Sequence, residues 1–267
     1  DRLLSQSLFK KGDPNYTFSS ETLCNALLSL THEDILQEHG KLIAYGVMRT
    51  SVLSNVDALM NFAPARFRTN VNNALGEEKN ILNSPNVGAH SEINIAGKSS
   101  CTVKWAHVIS NPSIATKLAI GALGGGFSGR LMQIIRDKQG LTYGIYSSQR
   151  KLHGQSVFET SATFNPQNLK RGIEESEKVM REWKKGITDE EIDIQRSILI
   201  GSQIVHWDDC SNISAEIHKT LVSGESLKSI DDFKETVNSV TYADVRKALN
   251  EELHVDKLKR AVAGTLL

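Results

Sequence analysis

The apolar positions change period along the chain, and those changes mark its elements. From residue 92, EINIAG and then SSCTVKWAHVIS alternate apolar and polar residues at the two-residue period of half-buried strands. After Pro112 the spacing becomes helical over about 113–123. A glycine run follows, then a helical pattern in which Leu131, Ile134 and Ile135 face a core. Alternation returns in LTYGIYSSQRK and GQSVFETSATF, residues 141–151 and 154–164, with His153-Gly154 between them as the hairpin turn. Asn165-Pro166 opens the next helix, because proline tolerates a first helical turn, where its missing N–H is not needed. Its apolar face carries Leu169, Ile173, Met180 and Trp183, with Ser176 among them.

A second long helix starts at Thr188, where Glu191 completes a capping box, and carries Ile192, Leu199 and Val205. Shorter helices follow, capped at Ser229 and Thr241 with Asp232 and Asp244 three positions on. LKRAVAGTL, residues 258–266, is the expected last strand. Upstream, residues 19–40 form short helices with Thr31 and Asp34 as a capping box and Gly40 at the end. LIAYGVMR, residues 42–49, is an expected strand, and a short helix carrying Val56, Leu59 and Met60 follows it. Residues 65–90 are polar and Asn-rich without a period, the composition of a linker. Hairpin strands followed by grouped helices predict an α+β fold: two layers, a mostly antiparallel sheet covered by helices.

Composition narrows the chemistry. The 31 basic and 31 acidic side chains cancel, so the chain lacks the basic field of a dedicated nucleic-acid binder. No apolar run approaches the roughly 20 residues of a membrane helix. The first residues carry neither an initiator Met nor the features of a signal peptide, which leads us to expect a processed chain or a fragment. Cys24, Cys101 and Cys210 are too few and too scattered for a disulfide framework or a zinc knuckle.

The candidate chemistry sits in GALGGGFSGRLMQIIRDKQGLTYGIYS, residues 121–147. A phosphate loop requires Lys followed by Ser or Thr after its last glycine and a strand before it. Here Phe127-Ser128-Gly129-Arg130 follow the glycines, and a helix precedes them. The dinucleotide fingerprint fails on the same topology. Read from composition alone, the glycines let one helix stop and another begin, Arg136 is a solvated helix charge and Tyr143 a strand residue.

The order of residues adds more. GGGFSGRL followed by IRDKQGLTYGIYS closely resembles a run in the insulinase/pitrilysin family of zinc peptidases, which includes the mitochondrial processing peptidase. ITDEEIDIQRSILIGS, SIDDFKETVNSVTYADVRKALNEEL and LKRAVAGTL are similar to later segments of that family, and LTHEDILQEHGKLIAYGVM to the end of its first half-domain. The resemblance implies two similar α+β halves enclosing a chamber. One half bears the inverted zinc motif HxxEH and a distant glutamate ligand; the other contributes an Arg and a Tyr that hold substrate carbonyls and stabilise the tetrahedral intermediate.

Those two residues correspond to Arg136 and Tyr143, the catalytic and substrate-binding candidates. HxxEH is absent: in ILQEHG, residues 35–40, Ile35 stands at the first ligand position. His32 and His39 do not reproduce the inverted-motif spacing, and His206 with Asp208 and Asp209 reads as a helix-end cluster rather than a ligand set. The zinc cofactor is therefore expected outside this chain, on an N-terminal half or a separate subunit, with no metal ligand here.

The implied division is 1–64 as the tail of the first half-domain, 65–90 as linker and 91–267 as the C-terminal half-domain. The implied partners are a peptide substrate and the zinc-bearing half, and a dimer is compatible with the resemblance. The alternative function is a non-catalytic scaffold or peptide-binding member. The compartment stays open between cytoplasm and periplasm if the source is bacterial.

Overall fold

The structure, a computed structural model, describes residues 1–45, 90–222 and 224–267. Among the described residues five strands form one sheet: β1 (His90–Asn94), β2 (Cys101–Ile109), β3 (Thr142–Leu152), β4 (Gln155–Phe164) and β5 (Lys259–Gly264). Their order is β1-β5-β2-β4-β3. Among these described strands the β1–β5 pair is parallel and the other three pairs are antiparallel. The expected mostly antiparallel sheet is present, and the hairpin sits at its β3 edge.

Ten α-helices are described: α1 (Arg2–Leu8), α2 (Ser20–Ser29), α3 (His32–Tyr45), α4 (Ile114–Gly124), α5 (Leu169–Lys185), α6 (Asp189–His206), α7 (Cys210–Val222), α8 (Lys228–Asp231), α9 (Phe233–Ser239) and α10 (Tyr242–Glu252). The chain divides into two compact units. One holds 1–18, 80–199 and 236–267; the other holds 19–79 and 200–235.

The first unit contains the sheet and its core. Alternate residues of β2 and β4 send Val103, Trp105, Phe158 and Phe164 toward α4, α5 and α10, where they meet Leu118, Met180, Trp183 and Leu249. Trp183 is fully buried, and its indole N–H donates to the Ala119 carbonyl at 3.0 Å, so the large ring enters the core without an orphaned donor. The opposite parity of β2 and β4, Ala106 and Val157, packs with Ala261 of β5 against Leu4, Leu8 and Phe9 of and beside α1.

Capping follows the sequence in most places. Thr31–Asp34, Thr188–Glu191 and Thr241–Asp244 form reciprocal boxes. Ser113–Thr116 makes a further box in front of α4; threonine at the third helical position supplies the return bond usually given by a longer acid.

Four local expectations change. Helix α3 runs through Gly40 to Tyr45, so residues 42–45 are helical rather than strand; residues 46–49, the helix expected at 56–64 and nearly all of 65–90 lie outside the described residues. Ser229 lies inside α8, bonding back to the Ser226 carbonyl instead of capping. Val205 is exposed near the end of α6, while Ile192 near its start is buried in the core. The helix expected after the glycine run is a π-helix, Met132–Lys138.

In the second unit α2 buries none of its residues, and Leu23, Leu27 and Leu28 are exposed.

Candidate active-site edge

The segment 121–147 is built as a helix end, a glycine loop, a π-helix and the first residues of the edge strand β3. Helix α4 ends against β3 so closely that a Cβ on Gly124 would stand 2.7 Å from the Ser147 backbone nitrogen and 2.6 Å from its hydroxyl. Gly126 then takes φ 84°, the left-handed conformation that a side chain disfavours. The loop is tied down beyond it. Ser128 Oγ accepts from Gln195 Nε2 at 2.9 Å. Arg130 makes a two-pronged pair with Glu191, Nε to Oε1 at 2.5 Å and Nη2 to Oε2 at 2.7 Å, and also donates to the Gly186 carbonyl.

Partial burial alone would raise the Glu191 carboxyl, but the hydrogen bonds from Arg130 and Thr188 outweigh it and hold the group below its ordinary range. Sequence reasoning passed over Arg130, Ser128, Glu191 and Gln195 as a set. Glu191 was legible only as a cap, because its second partner lies 61 positions upstream.

The π-helix carries Arg136. Gln139 N–H reaches back five residues to the Ile134 carbonyl, and Leu141 N–H reaches Ile135. The wider turn keeps Met132 and Ile135 in the core and leaves Arg136 half-exposed, its side chain at 37%. Its guanidinium lies over the Phe127 ring, 5.4 Å from the centroid, and 3.7 Å from the Asp137 carboxylate. Single π-turns cost backbone geometry and recur at functional positions.

Gly140 turns the chain into β3, where Tyr143 is 92% exposed. The ladder slips by one residue between Thr142, opposite Phe164, and Ile145, opposite Ala162. This bulge holds Tyr143 and Gly144, and Thr142 Oγ1 stabilises it by donating to the Thr163 carbonyl at 2.6 Å. Bulges at sheet edges re-aim side chains, and here the phenol points into solvent with no hydrogen-bond partner among the described residues. Arg136 and Tyr143 therefore emerge from either side of one turn, both reaching solvent and neither committed to a structural ion pair of the Arg130 kind. No direct bond joins them.

Among the described residues no three His, Cys, Asp or Glu side chains gather into a set that could hold a metal ion. Glu38 of ILQEHG pairs with Lys41, and Asp209 accepts from the Ser211 backbone at the start of α7. Among the described residues these side chains do not form a zinc centre. No helix among the described residues is long and apolar enough to cross a membrane.

An open, mostly antiparallel sheet with α4, α5 and α10 on one face, α1 on the other and a bulged edge after a glycine loop defines an α+β domain with its sheet covered by helices. The chain belongs to the family described as the peptidase M16 inactive domain, whose profile matches residues 29–199. An uncharacterized zinc protease of Streptomyces coelicolor is 32% identical over 136 residues, covering 49% of this chain and 29% of that protein. A Helicobacter pylori protein named non-peptidase homolog YmxG is 28% identical over 156 residues, covering 49% of this chain and 34% of its own length.

The solved M16 inactive domain from Pseudomonas fluorescens superposes with a TM-score of 0.59 at 26% identity, covering 67% of this chain and 43% of that one. A protease from Helicobacter pylori shares the fold at TM-score 0.57 and 21% identity, covering 66% of this chain and 44% of its own. The chain thus spans less than half the length of each of these relatives. It is an inactive-type, C-terminal domain of a zinc-protease family.

Proposed function

We propose that this chain completes the active site of a zinc peptidase, with Arg136 and Tyr143 as its contribution and zinc bound elsewhere. The observation that carries the reading is the contrast between two arginines six positions apart. Arg130 is spent on Glu191 and Gly186, whereas Arg136, on the π-helix that leads into the bulged edge carrying the exposed Tyr143, keeps its donors largely free. A guanidinium and a phenol are donors suited to peptide carbonyls, and they lower a barrier when aimed at the charge of a tetrahedral intermediate. The partner is the zinc-bearing half, as a preceding domain or a separate subunit, and the substrate is a peptide. Within this proposal 91–267 is the C-terminal half-domain, 65–90 the linker and 1–64 the tail of the first half.

The test is turnover of a quenched fluorogenic peptide by the chain assembled with its zinc-bearing half. Arg136→Ala and Tyr143→Phe each lower kcat/KM on the order of a hundredfold, with the thermal midpoint little changed because Tyr143 is exposed and Arg136 half-exposed without a close ion pair. Wild-type turnover in both variants refutes the assignment.

A second reading has one specific observation behind it: the Helicobacter pylori relative is named a non-peptidase homolog. On that reading the chain is a scaffold or peptide-binding member. It is favoured if no HxxEH polypeptide assembles with the chain and peptides bind without being cut.

A further inference from the structure

Phe127 is not used by the function just argued. It is an apolar ring, 70% exposed, at the apex of GGGFSGR. The residues around it are fixed. Ser128 is held by Gln195, Arg130 by Glu191 and Gly186, and the Gly129 N–H closes back on the Gly126 carbonyl at 3.3 Å. The loop therefore presents the ring from a braced base.

What lies over that ring is the Arg136 guanidinium, 5.4 Å from its centroid. An arginine side chain has many rotamers and is ordered only by its contacts. Among the described residues Arg136 has two: the Phe127 face and the Asp137 carboxylate at 3.7 Å. They differ in consequence. A carboxylate occupies N–H donors and neutralises charge. An aromatic face attracts the cation through its quadrupole and leaves the N–H groups, which lie in the guanidinium plane, free to donate elsewhere.

We propose that Phe127 is a positioning residue for Arg136: its ring is a shelf that orders the guanidinium while leaving its donors free for the peptide carbonyl. This rests on the reading of Arg136 given above. It also gives the glycine loop a purpose, since the bonds to α6 fix a ring that would otherwise have no reason to stand in water.

The test uses F127A, F127Y, R136A and the F127A/R136A double variant. Turnover is measured in the chain assembled with its zinc-bearing half, and the Arg136 Nε–H resonance in the chain itself by NMR. F127A lowers kcat/KM about two- to fivefold and moves the Arg136 resonance toward that of a free arginine. F127Y, which keeps the ring, retains most of the turnover and the resonance position. The double variant is no slower than R136A, because the ring acts through the guanidinium.

Normal turnover in F127A beside a slow R136A overturns this inference and leaves the role of Arg136 standing. So does an F127A loss that multiplies onto that of R136A, or an Arg136 resonance indifferent to the ring. Normal turnover in R136A removes the role of Arg136 from the parent reading and this inference with it.

Discussion

Arg130 and Arg136 show what a residue's neighbourhood adds to its identity. Both lie on the same short apolar-basic stretch, and only their partners separate a structural tie from a free donor. Sequence pattern marked Arg136 and Tyr143 through a family resemblance; it carried no trace of the Phe127 contact or of the Gln195–Ser128 bond, whose partners are 9 and 67 positions apart. His107 is a buried residue that pattern also missed. Its Nε2 accepts the His254 backbone N–H at 3.1 Å, so Nδ1 carries the proton and donates to the Val108 carbonyl at 2.8 Å. Burial is the main reason that its pKa is lowered to about 4.

Between pH 6.5 and 4 the unfolded chain then binds a proton at this site that the folded chain refuses. Stability therefore falls as pH drops through that window, by up to about 3 kcal/mol, and is insensitive to His107 above it. Chemical denaturation across that range in wild type and His107→Gln checks this: the variant loses that share of the acid sensitivity, while parallel curves refute it.

At the scale of elements, the glycine run was legible as a junction between helices, and the structure supplies the reason for its first member. Gly124→Ala drives a Cβ against the backbone of β3, which cannot yield without moving the edge strand. Gly126→Ala meets no atom within 4 Å and costs only the strain of its positive φ. Calorimetry is expected to rank them accordingly, with Gly124→Ala losing about 1–3 kcal/mol and Gly126→Ala roughly 1 kcal/mol; the reverse order contradicts the packing. Strands and most caps were readable because a two-residue period and a capping box are local. The π-turn and the β3 bulge were not, because each inserts one residue into a regular pattern and depends on which side chains the core accepts. The Leu42–Tyr45 stretch is apolar enough for a strand, yet it continues α3.

At the scale of the molecule, the family match over residues 29–199 and the superposition on the solved Pseudomonas fluorescens domain agree on an inactive-type M16 domain. The proposed linker makes one further prediction. Limited proteolysis cuts first within 65–90, where the sequence is polar and aperiodic, and mass spectrometry finds a protected fragment beginning near residue 91; first cuts inside 91–199 refute the division. The sequence by itself determined the α+β class, the hairpin, most of the helix starts and the candidacy of Arg136 and Tyr143, since periodicity, caps and an ordered motif are properties of neighbours along the chain. Only the tertiary structure decided the strand order β1-β5-β2-β4-β3, the division of labour between the two arginines and the ring beneath Arg136. Those depend on which distant residues the core brings within hydrogen-bond and packing distance, and such contacts leave no period in the chain.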